Sequence, residues 1–177
     1  MRDCIVVGGG PAGLTAALYL ARYLRSVLVF DARDGRARMI PKTHNLASFP
    51  GGISGLDILD RMRVHAELYG AEIKTGIVRA VEKHGDALQI STDSGVETAR
   101  NLILATGVFN HRPPLSIHDH DRGLAAGLIR YCPVCDGYEN RGKCIAVLGG
   151  GEHGFREANF IRHYSSSVTL IPPIGCV

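Results

Sequence analysis

The chain has 177 residues, a formal net charge of +3, 45% apolar and 21% charged residues, which is an ordinary balance for a globular protein with a real core in one domain or one domain plus a smaller unit. Lys and Arg are scattered rather than gathered into a basic stripe and aromatics reach only 6%, so composition argues against a nucleic-acid partner. The N-terminus lacks the order of a signal peptide and no apolar run approaches the ~18 residues of a membrane span, so no membrane partner and a cytoplasmic location are the expectations.

Cys4 to Val7 reads as a short apolar strand, followed by Gly8-Gly9-Gly10-Pro11-Ala12-Gly13 and a helical pattern from Leu14 to Leu24. A second apolar strand, Ser26 to Phe30, ends at Asp31, which makes β-α-β with the glycines in the first turn. Gly35 to Gly52 is irregular and reads as a long loop with a binding role. Next comes an amphipathic helix with Leu56, Leu59, Met62 or Arg63, Ala66 and Tyr69 near one-turn spacing, and His65 at its core edge. Glu72 to Glu82, Ala87 to Thr92 and Val96 to Ala99 read as a three-stranded antiparallel addition turned at Gly85-Asp86 and Ser94-Gly95. Leu102 to Ala105 is a separate apolar strand closing on Thr106-Gly107, and His111 to Gly127 has the composition of a linker and loop. A second β-α-β follows: strand Cys144 to Leu148, a glycine turn, helix Phe155 to Tyr164, strand Ser167 to Ile171. The expected fold class is α/β, with a Rossmann-like dinucleotide-binding domain over residues 1–110. Residues 111–177 hold the linker, a cysteine pair and an incomplete second nucleotide-binding unit.

Gly8, Gly10 and Gly13 fit the G-x-G-x-x-G fingerprint. The first glycine permits the tight turn, the second admits a pyrophosphate to the backbone, and the third lets helix and strand close-pack. Asp31 stands where a carboxylate accepts from a ribose hydroxyl. The pattern does not distinguish FAD from NAD, and a glycine turn without ligand is the alternative. Gly149, Gly151 and Gly154 repeat the fingerprint, but Pro172 and Pro173 occupy the ribose-reading position and offer neither acceptor nor charge.

Five cysteines cannot all pair within one chain. Cys132-Pro133-Val134-Cys135 has the spacing of a reversible disulfide, and Asp136 beside it can move a proton during thiol exchange. The same pair with His111, His118 and His120 can be drawn as a zinc site, though not with the spacing of a compact finger, and two unpaired structural cysteines are a third reading. Cys4 and Cys144 open apolar strand patterns, where buried, inert thiols are expected.

Four segments in this order carry a resemblance: Ile5-Val6-Val7-Gly8-Gly9-Gly10-Pro11-Ala12-Gly13-Leu14, Asn45-Leu46-Ala47-Ser48-Phe49-Pro50-Gly51, Leu102-Ile103-Leu104-Ala105-Thr106-Gly107, and Tyr131-Cys132-Pro133-Val134-Cys135-Asp136-Gly137. Together the chain resembles the thioredoxin-reductase branch of the pyridine nucleotide-disulfide oxidoreductases. The resemblance implies an FAD domain with an NADPH domain inserted into it, and a homodimer. It implies that Gly8, Gly10, Pro11, Ala12, Gly13 and Asp31 line the ADP half of FAD, and that Asn45 approaches the flavin. Val78 is implied beside the adenine and Thr106-Gly107 on the pyrophosphate side. Cys132 and Cys135 would be the redox pair and Asp136 the acid, with electrons passing from NAD(P)H through flavin to the pair and on to a thioredoxin-like protein or small disulfide.

Two departures accompany the resemblance. The family's returning FAD segment with its Gly-Asp motif has no counterpart in this sequence, and its basic NADPH-phosphate residues are replaced by Pro172 and Pro173. The 177-residue polypeptide is therefore expected to be truncated relative to the family and not to complete an NADPH-driven cycle alone.

Overall fold

A computed structural model describes residues 1–172 of the chain. They fall into two compact units, Met1–His44 with Phe49–Phe109, and Asn45–Ser48 with the segment from Asn110 onward.

The first unit is built on a six-stranded sheet in the order β3-β2-β1-β6-β5-β4. Its strands are β1 (Arg2–Val7), β2 (Val27–Asp31), β3 (Glu72–Thr75), β4 (Val78–His84), β5 (Ala87–Thr92) and β6 (Gly95–Leu104). β1 pairs in parallel with β2 and β6, and β2 with β3, whereas β4, β5 and β6 form an antiparallel meander. Helices α1 (Pro11–Arg22) and α2 (Gly55–Leu68) make the crossovers from β1 to β2 and from β2 to β3.

Successive side chains of a strand point to opposite faces, so a central strand covered on both sides reads as a continuous apolar run. Cys4 and Val6 of β1 and Val27 and Val29 of β2 pack with Ala17 and Ala21 of α1 and Ala66 of α2. Their neighbours Ile5, Leu28 and Phe30 pack with Ile90 of β5 and Ala99 of β6. Small alanines on the helices let them approach the sheet closely, and bulk comes from the strands.

The antiparallel addition is present, but its limits differ from the expectation. The stretch from Glu72 to Glu82 is two strands, because Gly76 N–H donates to the Asp31 carbonyl at 3.2 Å and Ile77 N–H to Asp93 Oδ1 at 3.2 Å. There the chain leaves the edge beside β2 for the edge beside β5. Conversely, Val96–Ala99 and Leu102–Leu104 belong to one ten-residue strand, β6, and Ala105 lies just past its end. Its polar Arg100-Asn101 reads as a break, yet Asn101 Nδ2 donates to the Asp3 carbonyl at 3.0 Å and the ladder to β1 continues.

On α2, Gly55, Leu59 and Ala66 are the buried positions, while Leu56, Tyr69 and His65 are exposed. Leu59 and Ala66 face inward as expected while the two ends of the expected face do not, and His65 is a surface side chain with its ring tilted 52° to that of Tyr69 rather than a core-edge histidine. Gly55 begins the helix in close contact: a methyl group there would stand 1.7 Å from the Ala37 carbonyl oxygen. The loop from Gly35 to Gly52 is ordered by a 3-10 turn at Arg36–Met39 and by a bridge between Thr43 and Ile53.

The second unit carries α3 (Ile117–Ala125), the short α4 (Pro133–Asp136), β7 (Ile145–Leu148), α5 (Gly151–Ile161) and β8 (Val168–Ile171). β7 and β8 are parallel and form a two-stranded sheet. Helix α3 lies inside the stretch expected to be linker and loop. Ser116 Oγ accepts from Asp119 N–H at 3.0 Å and donates to its carboxylate at 2.8 Å, a capping arrangement that starts a helix despite the polar composition. Ser54 and Asp57 start α2 in the same way. Cys144 lies just before β7 and is exposed, contrary to the expected burial, whereas Cys4 is buried as expected. Among the described residues no helix is long and apolar enough to cross a membrane.

Ile90 is fully buried although it lies on the antiparallel addition, whereas Val81 on β4 is 39% exposed. Ile90→Ala is expected to destabilise the first unit by about 2–5 kcal/mol and Val81→Ala by under about 1 kcal/mol. Hydrogen exchange of the β1 amides measures both, and equal effects would show that the addition shares no core with the parallel strands.

Candidate functional site

The first glycine turn is sterically exacting at two positions and open at a third. Gly8 has φ +113°, and a methyl group on it would fall 2.2 Å from the Ala105 carbonyl oxygen. A methyl on Gly13 would fall 1.9 Å from the Gly8 carbonyl oxygen, so strand and helix touch backbone to backbone. At Gly10 nothing lies within 4 Å. Gly10 is also the N-cap of α1, Pro11 stands at the first helical position, and no side chain caps the helix. A helix start with unclaimed N–H groups and space above its N-cap glycine is the geometry that receives a phosphate.

Asp31 reaches this turn from the end of β2: a methyl on Gly9 would lie 2.3 Å from its Cγ. Its Oδ1 accepts from Arg33 N–H at 2.9 Å and its Oδ2 from Arg63 Nη2 at 2.8 Å, with both side chains of the ion pair largely buried. A carboxylate has about four acceptor sites, so these two bonds fix Asp31 and leave capacity for a ribose hydroxyl. Arg63 escaped the sequence reading as a site residue because helical spacing allowed either Met62 or Arg63 on the inner face. Pro11 and Ala12 open α1. Thr106 and Gly107 follow directly on Ala105, whose N–H donates to the Val7 carbonyl at 2.8 Å, so they emerge beside the glycine turn. Val78 starts β4 and packs on the core that includes Ile5 and Phe30. Asn45 is exposed and groups with the second unit.

In the second unit Cys132 and Cys135 are joined by a disulfide, with Cα atoms 5.2 Å apart. Pro133 begins α4, Cys132 is its N-cap, and Cys135 N–H points at Cys132 Sγ from 3.2 Å. Asp136 ends that turn and faces Arg130, Nε to Oδ1 3.7 Å. Asn140 Nδ2 donates to the Asp136 carbonyl at 2.8 Å. A methyl on Gly137 would stand 2.5 Å from the Tyr164 ring, so glycine lets the redox turn pack flat against the chain after α5.

Tyr131, next to Cys132, is anchored by the most buried polar side chain of the unit. His120 is 1% exposed, with Nε2 2.6 Å from the Tyr131 hydroxyl and Nδ1 2.9 Å from Asp121 Oδ1. The His120 hydrogen bond holds the Asp121 carboxyl below its usual range, with Arg112 and His118 adding to the effect, and burial pushes the Tyr131 phenol up. In the neutral ring, Nδ1–H donates to the Asp121 carboxylate and Nε2 accepts from the tyrosine. Both nitrogens of His120 are therefore engaged, and His111, His118 and His120 do not gather with the cysteines. Among the described residues no group of three metal-ligating side chains occurs.

The second glycine turn repeats the first in part. A methyl on Gly154 would stand 2.5 Å from the Gly149 carbonyl carbon, Gly151 has φ +58° with open space around it, and Gly150 is the N-cap of α5. Pro172 follows β8 directly, and Pro173 lies outside the described residues.

This strand-glycine-helix turn answered by an acid, followed by a closely spaced disulfide and a second such turn, defines a Rossmann-fold disulfide oxidoreductase scaffold. The family profile described as pyridine nucleotide-disulphide oxidoreductase matches residues 2–173, and the chain belongs to that family. It is 36% identical over 175 residues to a thioredoxin reductase of Streptomyces coelicolor, covering 97% of this chain and 53% of that protein. A thioredoxin reductase of Streptomyces clavuligerus is 35% identical over 175 residues, with the same shares covered. The crystal structure of thioredoxin reductase from Streptococcus pyogenes superposes with a TM-score of 0.86 at 31% identity, over 96% of this chain and 55% of that one. The chain spans about half the length of the relatives it matches.

Burial, with Asp3 nearby, pushes the Cys4 thiol up, whereas Cys144 is exposed. In native protein Cys144 is therefore expected to alkylate at once, Cys132 and Cys135 only after a dithiol is added, and Cys4 only on unfolding. Peptide mass mapping reads all four sites. Equal labelling of Cys132 with and without reductant would contradict the disulfide.

Proposed function

We propose that the first unit binds FAD and that the Cys132–Cys135 disulfide is the redox centre of a disulfide reductase of the thioredoxin-reductase type. The single observation that carries this reading is the Cys132–Cys135 disulfide, with Asp136 at the end of the same turn, in a chain of this family. NAD(P)H is the proposed electron donor and a thioredoxin-like protein or small disulfide the acceptor, with the protein working as a homodimer.

The turn Gly8, Gly10, Pro11, Ala12 and Gly13 would take the pyrophosphate at the start of α1, and Asp31, fixed by Arg63, the adenosine ribose. Val78 is proposed beside the adenine and Thr106-Gly107 on the pyrophosphate side. Bound FAD would supply the two-electron relay between a nicotinamide and the disulfide. Asp136 is proposed to give a proton to the sulfur that leaves when the disulfide opens and to take one back when it closes. Gly149, Gly151 and Gly154 would serve a nicotinamide dinucleotide at the start of α5.

A second reading, a cofactor-binding module without turnover, has in its favour that the described residues of the second unit form two strands, where a mononucleotide-binding half uses βαβαβ. The two readings separate experimentally. Purified protein supplied with FAD and desalted is expected to keep an absorption band near ~450 nm, and colourless protein would end the cofactor proposal. Reduction of a chromogenic disulfide with NADPH or NADH by the same polypeptide is expected to stay far below the ordinary ~1–10³ s⁻¹, and turnover in that range would establish the complete cycle instead. Gly10→Ala is expected to weaken FAD retention while leaving the fold nearly intact, whereas Gly13→Ala costs about 1–3 kcal/mol of stability through its clash with Gly8. Calorimetry with and without FAD distinguishes the two variants.

A further inference from the structure

We propose that Arg63 is a specificity-determining residue of the first glycine turn: by holding the Asp31 carboxylate in one orientation, it lets the site tell an intact adenosine ribose from a deoxyribose. The inference rests on the proposed binding of an ADP moiety at that turn and adds a residue to it.

An aspartate carboxylate is by itself a loose acceptor. The torsion that turns its plane has a broad, roughly two-fold preference, so a single hydrogen bond leaves it free to swing. Asp31 has a bond on each oxygen, from two different elements. Oδ1 accepts from Arg33 N–H at 2.9 Å, inside a local turn. Arg33 stands in the left-handed region at φ +60°, uncommon for a residue with a side chain. Its Nε donates to Thr75 Oγ1 at 3.1 Å, which ties that turn to the end of β3. Oδ2 accepts from Arg63 Nη2 at 2.8 Å.

Oδ2 is also the carboxylate oxygen nearer the glycine turn, since a methyl on Gly9 would stand 2.6 Å from it. Arg63 is brought to this point by the packing of α2. It lies four residues after Leu59 and three before Ala66, both buried, so its stem shares their inward face. The side chains of Arg63 and Asp31 are only 21% and 13% exposed, so the guanidinium is a fixed donor and not a solvated surface charge. A carboxylate has about four acceptor sites, and Oδ2 keeps one for a ribose hydroxyl after Arg63 has taken another.

Without Arg63, Oδ1 stays tied to its turn while Oδ2 swings, and the acceptor no longer waits where the hydroxyl arrives. A site that presents a fixed acceptor rejects a ligand lacking the hydroxyl, because the acceptor is then left without its partner. Discrimination is therefore what Arg63 contributes through Asp31. A merely structural role, loosening α2 when lost, would weaken every nucleotide alike.

The experiment measures FAD uptake by the full 177-residue chain in competition with ADP, 2′-deoxy-ADP or 3′-deoxy-ADP. It compares wild type, Arg63→Met, Arg63→Lys, Asp31→Asn and the double variant Asp31→Asn/Arg63→Met. The quantity read is the inhibition constant of the weaker deoxy nucleotide divided by that of ADP. Wild type is expected to give a ratio of about ten, and Arg63→Met a ratio of about one, as in Asp31→Asn. Arg63→Lys, which restores a charged donor, is expected to recover much of the ratio, and Arg63→Met made on Asp31→Asn to change it no further. Should Arg63→Met fail to fold, Arg63→Gln, whose amide falls short of Oδ2, is expected to lower the ratio by about threefold or more. A ratio unmoved by the Arg63 variants beside a collapsed one in Asp31→Asn overturns the inference and leaves the ribose role of Asp31 standing. A fall that Arg63→Met still produces without Asp31 overturns it as well, since Arg63 would then touch the nucleotide itself. A wild-type ratio near one ends the ribose role of Asp31 and this inference with it, whereas absence of FAD uptake ends the cofactor proposal on which both rest.

Discussion

The contact between the backbones of Gly8 and Gly13 is the constraint on which the first unit depends. With a methyl at Gly13 only 1.9 Å from the Gly8 carbonyl oxygen, no other residue lets α1 start so close to the end of β1. That closeness sets Ala17 and Ala21 on Val6 and Val29, and so determines the small-residue face of the helix. It also points the uncapped helix start at the end of the sheet where β1, β2 and β6 finish. One turn thus carries both the packing positions, Gly8 and Gly13, and the open position, Gly10, at which a phosphate is proposed to sit.

The same economy explains what could be read in the sequence. The β-α-β units were legible because their signals are short-range: an apolar run, glycines at fixed offsets, a helix with apolar spacing, a second run ending at Asp31. The split at Gly76 and the fusion through Arg100-Asn101 were not, because both are decided by partners far away in the chain, Asp31 and Asp93 in one case and Asp3 in the other. Helix α3 was hidden for a different reason. Its start is specified by Ser116 and Asp119, two residues whose composition says loop and whose spacing says cap.

The site divides along the same line. The close-packed glycines Gly8, Gly13, Gly149 and Gly154 and the cysteine pair were legible, since backbone approach and covalent spacing are written in the motif. The residues that hold the functional groups in place were not. Arg63 fixes Asp31 from 32 positions away, and His120 fixes Tyr131 from 11 positions away. His120 was noticed as a metal candidate, because a His-rich stretch upstream of a Cys-x-x-Cys has that chemistry. In the fold its two nitrogens are engaged by Asp121 and Tyr131.

Burying a histidine beside a redox turn has a physical cost, since an imidazole removed from water must have both nitrogens answered. Asp121 answers one and remains partly in solvent beside Arg112, so the network has a buried end at Tyr131 and a wet end at the carboxylate. Such an arrangement is directional. With the ring neutral, Nδ1–H donates to the solvated carboxylate, Nε2 accepts and the tyrosine donates, and the phenol is thereby held in place. Arg130 and Tyr131 are then consecutive residues tied to different partners, one to Asp136 and one to His120. Opening a disulfide moves its sulfurs apart, and the segment that enters Cys132 is held through Arg130 and Tyr131 while this happens.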